Sequence, residues 1–189
     1  MATRIILRVE TINMSLNRLN LSSVPPSDRQ QLANLCLQFV TEGFLQEHEN
    51  WHRRALADPG VHIREFFSFH RQMIQNLESF LNANGAGAYV PIPYWDPAER
   101  IPAEFTIVLS GFDPLRNPGP IAQIDSWFIP PDVCRFQTEG QLANSILAFH
   151  NFVHNTVGGV MSQFNSPAAA IFYPWHATID LIYSNWQQC

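Results

Sequence analysis

The chain has 189 residues, of which 46% are hydrophobic and 14% charged, so its composition is that of a globular protein with a sizeable core. The formal net charge of -5 and the lack of a basic cluster argue against a nucleic-acid partner. No apolar run reaches the roughly 18 residues of a membrane span, and the start, MATRIILRVE, lacks the apolar core of a signal peptide. We therefore predict a cytoplasmic protein that binds neither nucleic acid nor membrane.

The first half of the chain shows the apolar spacing of three helices. The first begins at the capping pair Ser27-Asp28 and reaches about residue 40. Gly43 predicts a break, and a second helix follows over residues 44–56. Asp58-Pro59-Gly60 is typical of a turn, after which a third helix is predicted over residues 65–81.

The second half begins with a long irregular stretch. Residues 88–140 hold most of the prolines and many of the aromatic residues, which favours half-buried loops around a rigid core. Helical spacing returns over residues 141–157, ends at Gly158-Gly159, and resumes between Ser166-Pro167 and Trp186. The predicted fold is mainly α, a bundle of about four core helices with long irregular loops and little β, in one domain of residues 1–189.

Metal-binding residue types are unevenly distributed along the chain. The three cysteines, Cys36, Cys134 and Cys189, lie far apart and form no CxxC pair, so neither a disulfide framework nor a cysteine-ligated metal is predicted. The seven histidines, in contrast, fall into two groups, with four in residues 48–70 and three in residues 150–176. No histidine lies between the two groups.

The spacing of His150 and His154 is the strongest single signal for metal binding. Residues four apart on a helix share one face, with Cβ atoms about 6 Å apart. Such a pair offers two imidazoles to one ion, and imidazole-only sites suit copper, zinc and iron. A single buried histidine is usually a hydrogen-bonded core residue. Six of them on aromatic-rich faces each need a polar partner, and metal ligation removes that cost.

Several motifs resemble those of tyrosinases and catechol oxidases, the type 3 binuclear copper proteins. The run HNFVHNTVGGVM, residues 150–161, resembles their second copper motif, and IFYPWHATID, residues 171–180, resembles their closing motif. FFSFHR, residues 66–71, with the later Glu78, is similar to their first copper helix, and IPYWD, residues 92–96, to their LPYWD element. The motifs occur in the family's order from about residue 8 to 187, in a chain that resembles a short bacterial-like member.

The resemblance implies two copper ions, each held by three histidines. The first copper motif covers about residues 44–80 and the second about 141–187. The implied ligands of the second ion are His150, His154 and His176, and two ligands of the first ion are His62, on a loop, and His70. The remaining ligand is His52 or His48. Family members often place it nine residues after a helix-ending glycine, and counting from Gly43 favours His52.

The resemblance also implies residues that act on the substrate. In the family, an asparagine orients a water that a glutamate makes basic. The matching asparagine is Asn151, while Glu139 lies near the position of the glutamate and Gln141 competes with it. Phe164 and Asn155 are the expected substrate contacts.

Structural roles are expected for two further acidic residues. Asp180 is expected to fix the last helix or to pair with Arg71, and Asp96 to cap the turn after Trp95. The chain also departs from the family, because Trp175 replaces the first histidine of the usual pair and no cysteine precedes His62 by two residues.

The implied activity is that of a type 3 copper polyphenol oxidase. Such an enzyme uses dioxygen to oxidise catechols to o-quinones, and tyrosinases also hydroxylate monophenols at the ortho position. An o-aminophenol oxidase or a biosynthetic tailoring oxidase is an alternative, and a hemocyanin-like dioxygen-binding protein is an alternative of another class. The expected partners are dioxygen and a phenolic small molecule, with a copper-delivery protein as a further candidate.

Overall fold

A computed structural model describes residues 17–189, apart from the side chains of Glu42 and Pro59. Residues 1–16 lie outside the described residues, and with them the MATRIILRVE segment and the first part of the stretch that resembles the family. Within residues 17–189 there are five α-helices and no sheet, and β pairing is confined to isolated bridges. The predicted mainly α fold with little β is confirmed.

The helices follow the predicted order. They are α1 (Pro26–Phe39), α2 (Leu45–Ala57), α3 (Pro59–Ala83), α4 (Glu139–Val157) and α5 (Phe172–Trp186). The stretch between α3 and α4 contains four short 3-10 segments, as its content of prolines and glycines predicted. None of these five helices is long and apolar enough to cross a membrane.

The start of α3 differs from the prediction. Asp58 caps this helix, because its Oδ1 accepts the backbone N–H of Gly60 at 2.9 Å. Pro59 occupies the first helical position, where its fixed φ fits and its missing N–H is not needed. Residues 58–60 therefore begin a helix rather than form a separate turn. His62, expected on a loop, lies in the first turn of α3.

Two glycine positions shape the chain around the histidines. Gly43 has φ +106° inside the segment Val40–Phe44, which confirms the predicted break between α1 and α2. Gly158 ends α4 as predicted, and Gly159 follows with φ +61°. A Cβ at Gly159 would lie 1.9 Å from the carbonyl oxygen of Pro114, so only glycine lets the chain pass there. The close approach fixes the position of the loop that follows α4.

The last helix forms the centre of the molecule. All residues of α5 from Phe172 to Asp180 are buried, and the helix packs against α3. A helix that is apolar on all sides is stable only when other elements surround it. The side chains of Trp95 and Trp175 are both fully buried, with ring centroids 6.2 Å apart.

A buried ion-pair network connects α3 and α5 to the start of the described chain. Arg18 donates to Glu78 at 2.7 Å and to Asp180 at 2.8 Å, and Arg71 also donates to Asp180. The predicted pairing of Asp180 with Arg71 is confirmed, whereas the part played by Arg18 was not predicted. The expected role of Asp96 is confirmed as well, since its Oδ1 accepts the N–H of Ala98 at 2.9 Å.

One expectation about the cysteines is wrong. Cys134 and Cys189 form a disulfide that joins the 3-10 segment Asp132–Arg135 to the residues after α5, while Cys36 is a buried thiol. The two cysteines are 55 positions apart in sequence but their Cα atoms lie 5.4 Å apart. The two cysteines are close because the loop before α4 folds back onto α5. Their separation in sequence did not indicate this fold.

Loss of the disulfide is expected to lower the free energy of unfolding. A cross-link that closes a loop of 55 positions restricts the unfolded chain, and its removal costs roughly 2–4 kcal/mol. Urea unfolding of Cys189→Ser should show this decrease. Wild-type protein in a reducing agent is the matched control and should show the same decrease. Equal stability of the oxidised and reduced proteins would contradict the prediction.

Candidate metal centre

Four helices bring all seven histidines into one region. The first cluster comes from α2 and α3 and consists of His48, His52, His62 and His70. The second cluster comes from α4 and α5 and consists of His150, His154 and His176. The two clusters adjoin, because the rings of His70 and His176 stack with centroids 4.7 Å apart. The two histidine groups of the sequence are therefore neighbours in space.

Two sets of three imidazoles have ring nitrogens close enough to share an ion. In each set these nitrogens lie within 4.8 Å of one another. One set is His48, His52 and His70, and the other is His70, His150 and His176. His154 completes the second cluster, with its ring centroid 4.4 Å from that of His150 and 5.2 Å from that of His176.

Backbone carbonyls fix the orientation of four of these rings. His70 Nδ1–H donates to the carbonyl of Phe66 and His176 Nδ1–H to that of Phe172, each at 2.7 Å and each within its own helix. The other two carbonyls belong to the loop after α4. His48 Nδ1–H donates to Phe164 and His154 Nδ1–H to Met161, again at 2.7 Å. Such bonds place the proton on Nδ1 and leave Nε2 with a lone pair, as a metal ligand requires.

The Nε2 lone pairs lack partners in the protein. Among residues 17–189, buried Nε2 atoms of His62, His70 and His154 have no hydrogen-bond partner. The Nε2 atoms of His150 and His176 lie 3.1 Å apart. Both are acceptors, because His150 Nδ1–H donates to Asn151 Oδ1 at 3.0 Å and His176 Nδ1–H donates to the carbonyl of Phe172. Two buried lone pairs at this distance repel each other unless a cation lies between them. The donor set therefore fits a metal ion.

Protonation of the imidazoles does not supply a positive charge between these lone pairs at neutral pH. Burial is the largest cause that lowers the pKa of every histidine in the two clusters. It brings the pKa of His154 to about 4 and, with help from neighbouring histidines, that of His52 to about 3. The pKa values of the remaining buried imidazoles lie well below the usual 6.5, and that of His62 is also lowered. At neutral pH the imidazoles are neutral, which is the form that binds metals.

The metal-free protein is expected to lose stability on acidification. Below pH 6.5 the histidines of the unfolded chain take up protons that the folded protein resists. Stability present above pH 6.5 is therefore lost as the pH falls toward the lowered folded pKa values. His154 alone, with a folded pKa of about 4, lowers the free energy of unfolding by about 2 kcal/mol at pH 5. Urea unfolding at pH 7.5, 6 and 5 tests this, and equal stability at pH 7.5 and 5 would refute it.

A cavity of about 330 Å³ lies beside both clusters. Its wall includes His52 and His62 from the first cluster and His150 and His154 from the second. Exposed Phe164 stands at its edge and stacks on His52, with ring centroids 5.2 Å apart and an interplanar angle of 5°. The volume is at the lower end of the range for small-molecule sites, so it suits a small aromatic compound.

The remaining predicted site residues divide into two groups. Asn151, Asn155 and Phe164 all line the cavity. Glu139 does not, because it begins α4 eleven residues before His150, a rise of about 16 Å. Its Oε2 accepts the hydroxyl of Tyr183 at 2.8 Å. The structure thus gives Glu139 a contact between helices in place of the expected position beside the substrate.

Gln141, the alternative to Glu139, also lies away from the cavity. Its Oε1 accepts the backbone N–H of Gln137 at 2.8 Å, at the start of α4. Sequence reasoning missed the carbonyls of Met161 and Phe164, which orient His154 and His48. No sequence signal marks them, because a backbone carbonyl is common to every residue.

Comparison with known proteins finds a family match in the last part of the chain. Residues 116–189 match the family model described as the common central domain of tyrosinase. The match includes α4, α5 and the whole second cluster, and it confirms the resemblance drawn from the motifs of that part. No curated protein and no solved structure gives a significant match to the chain. The first cluster lies outside the matched range.

Proposed function

We propose that this protein uses dioxygen and copper to oxidise catechols to o-quinones. The premise is that the match of residues 116–189 reflects membership of the tyrosinase family. The family match supports a type 3 copper oxidoreductase in general. The substrate class and the number of ions are our proposal. The single observation that carries it is the pair of adjoining histidine clusters whose Nε2 lone pairs have no partner in the protein.

Each cluster would hold one copper ion. The second would be held by His150, His154 and His176, and the first by His48 and His70 with a third ligand from His52 or His62. Two copper ions at these positions would supply the two electrons with which dioxygen is reduced. His48 enters this set because it is buried and its Nδ1–H is fixed by the carbonyl of Phe164.

The protein's own residues prepare the cavity for a phenolic ring. Phe164 has an exposed side chain at the cavity edge, and a substrate ring can stack on it in place of His52. Asn151 keeps the tautomer of His150 through its Oδ1. Because the imidazoles are neutral, they leave the charge of bound metal ions uncompensated, which favours a deprotonated phenol in the cavity.

Proton removal decides between catechol oxidation and monophenol hydroxylation. Among the described residues that line the cavity there is no carboxylate. A catechol gives up its protons more readily than a monophenol once it meets a cationic centre. The lining therefore favours catechols, or o-aminophenols of similar shape, over monophenols as substrates.

A dioxygen carrier of the hemocyanin kind is the second candidate function. The cavity favours an enzyme, because its wall contains the exposed side chains of Asn151, Asn155 and Phe164. Because these side chains are exposed, the cavity is open to solvent there, and a small molecule can enter it and reach the histidines.

Oxygen uptake by the copper-loaded protein tests the proposal. A catechol, an o-aminophenol and a monophenol are supplied side by side, and the zinc-loaded protein is the control. We expect oxygen uptake and quinone formation with the catechol, slower or delayed uptake with the monophenol, and none with zinc. Copper binding without turnover of any of the three would favour the carrier, and equal activity with zinc would refute the copper chemistry.

A further inference from the structure

We infer that the first metal site has four imidazoles available for three ligand positions, with His52 and His62 as interchangeable third ligands beside the fixed pair His48 and His70. This inference rests on the proposed function. It concerns how the chain's own side chains would hold the ion.

His48 and His70 have the features of permanent ligands. Their exposed fractions are 1% and 2%, and each Nδ1–H is bound to a backbone carbonyl at 2.7 Å. Both rings are also held by aromatic neighbours, His48 by Phe172 and His70 by Trp51. A ring held at Nδ1 and enclosed by other rings has one orientation for its Nε2.

His52 and His62 have different features. Both are half-buried and line the cavity, with ring centroids 5.5 Å apart. Among the described hydrogen bonds, none involves Nδ1 of either ring. Both also rest edge-on against the same indole, that of Trp51, with centroids at 4.8 Å and 5.1 Å. Unlike His48 and His70, neither ring has its orientation fixed by a described hydrogen bond at Nδ1.

Each of these two rings presents a nitrogen that suits a ligand. His52 Nε2 lies 3.2 Å from His48 Nε2, and these two nitrogens form a close set with one of His70. His62 Nε2 is buried and has no partner among residues 17–189. A site of three histidines uses only one of them, and the other stays at the cavity wall.

The stacking of His52 on Phe164 suggests when His62 would replace His52 as the third ligand, namely on entry of a substrate. A substrate ring that enters the cavity competes for the face of Phe164 that His52 covers. If His52 then leaves the ion, His62, whose ring centroid lies 5.5 Å from that of His52, would have to move toward the ligand position beside His48 and His70 to replace it. The first site would thereby keep its ion while the cavity admits a substrate.

Native mass spectrometry of copper-loaded variants tests the inference, because it counts ions on folded molecules. We expect two copper ions on wild-type protein, two on His52→Ala, two on His62→Ala, and one on the double variant. His48→Ala, which removes a fixed ligand, is the matched control and should hold one. A single variant at His52 or His62 that holds one ion would overturn the inference, as would a double variant that holds two. Wild-type protein without copper would overturn the proposed function as well.

A chelator competition on the single variants remains informative if the double variant does not fold. Both side chains are half-buried, so each single variant should fold. We expect each variant to bind the more weakly held of its two copper ions with an affinity within about tenfold of that of the wild type. Tenfold is the smallest loss of metal affinity that removal of a supporting contact typically causes. A loss beyond about a hundredfold in one of them would identify that histidine as an obligatory ligand.

Discussion

Replacement of His154 by alanine is expected to remove one bound copper ion and to abolish catechol turnover. The second cluster contains three histidines, so the variant leaves its ion with two ligands from α4 and α5. The fold should survive, because the change also removes a buried Nε2 that has no partner in the metal-free protein. Copper content and oxygen uptake of the purified variant are the measurements.

Phe152→Ala is the matched control for this variant. Phe152 lies on the same helix, is 48% exposed and does not line the cavity. It should keep both copper ions and full turnover. Two ions on His154→Ala, or equal loss of copper in the control, would contradict the assignment of His154 as a ligand.

Replacement of Asp180 by alanine is expected to cause the largest loss of stability. Asp180 is buried and accepts hydrogen bonds from both Arg18 and Arg71. Without it, Arg18 keeps Glu78 as a carboxylate partner, whereas Arg71 keeps the uncharged side-chain oxygens of Gln187 and Ser184. Loss of one partner from a buried ion pair costs about 3–5 kcal/mol, because an uncompensated charge stays in the interior. Urea unfolding of the metal-free variant measures the change.

A surface ion pair provides the matched control. Glu49 and Arg53 form an i, i+4 pair on α2 in which Arg53 is largely exposed. Glu49→Gln should cost only about 0.3–0.5 kcal/mol, since water already solvates both groups. If Asp180→Ala cost no more than this control, the network would not stabilise α5. Asp180 follows His176 by one turn, so the same variant should also weaken copper binding.

The sequence predicted the parts of the fold that depend on local periodicity. Apolar spacing located five helices to within a few residues, apart from the starts of α3 and α5. The i, i+4 spacing of His150 and His154 placed both rings on one side of α4, where they line the cavity. Family motifs indicated that two distant histidine groups meet, which no local rule can provide.

The contacts that the sequence did not predict depend on which distant segments of the chain come together in space. The disulfide between Cys134 and Cys189 and the ion pairs of Arg18 join segments far apart in sequence. Glu139 was predicted to act beside the substrate because of its position in sequence before His150. Both residues lie on α4, and eleven helical residues separate them by about 16 Å. The ligands of the first site remain a proposal, because His48 and His52 lie one turn apart and both could fill the position that His62 and His70 leave open.

Phe164 contacts the first cluster and the cavity through different atoms. Its ring faces the cavity, while its carbonyl oxygen, like that of Met161 three residues earlier, holds a histidine. Substitution of Phe164 therefore changes what the opening accepts and leaves the main-chain oxygen in place. Insertions or deletions in residues 161–164 would shift an imidazole in each cluster at once. Substrate preference can thus diverge among descendants of this sequence by point mutation, whereas the length of this loop is constrained by both metal sites together.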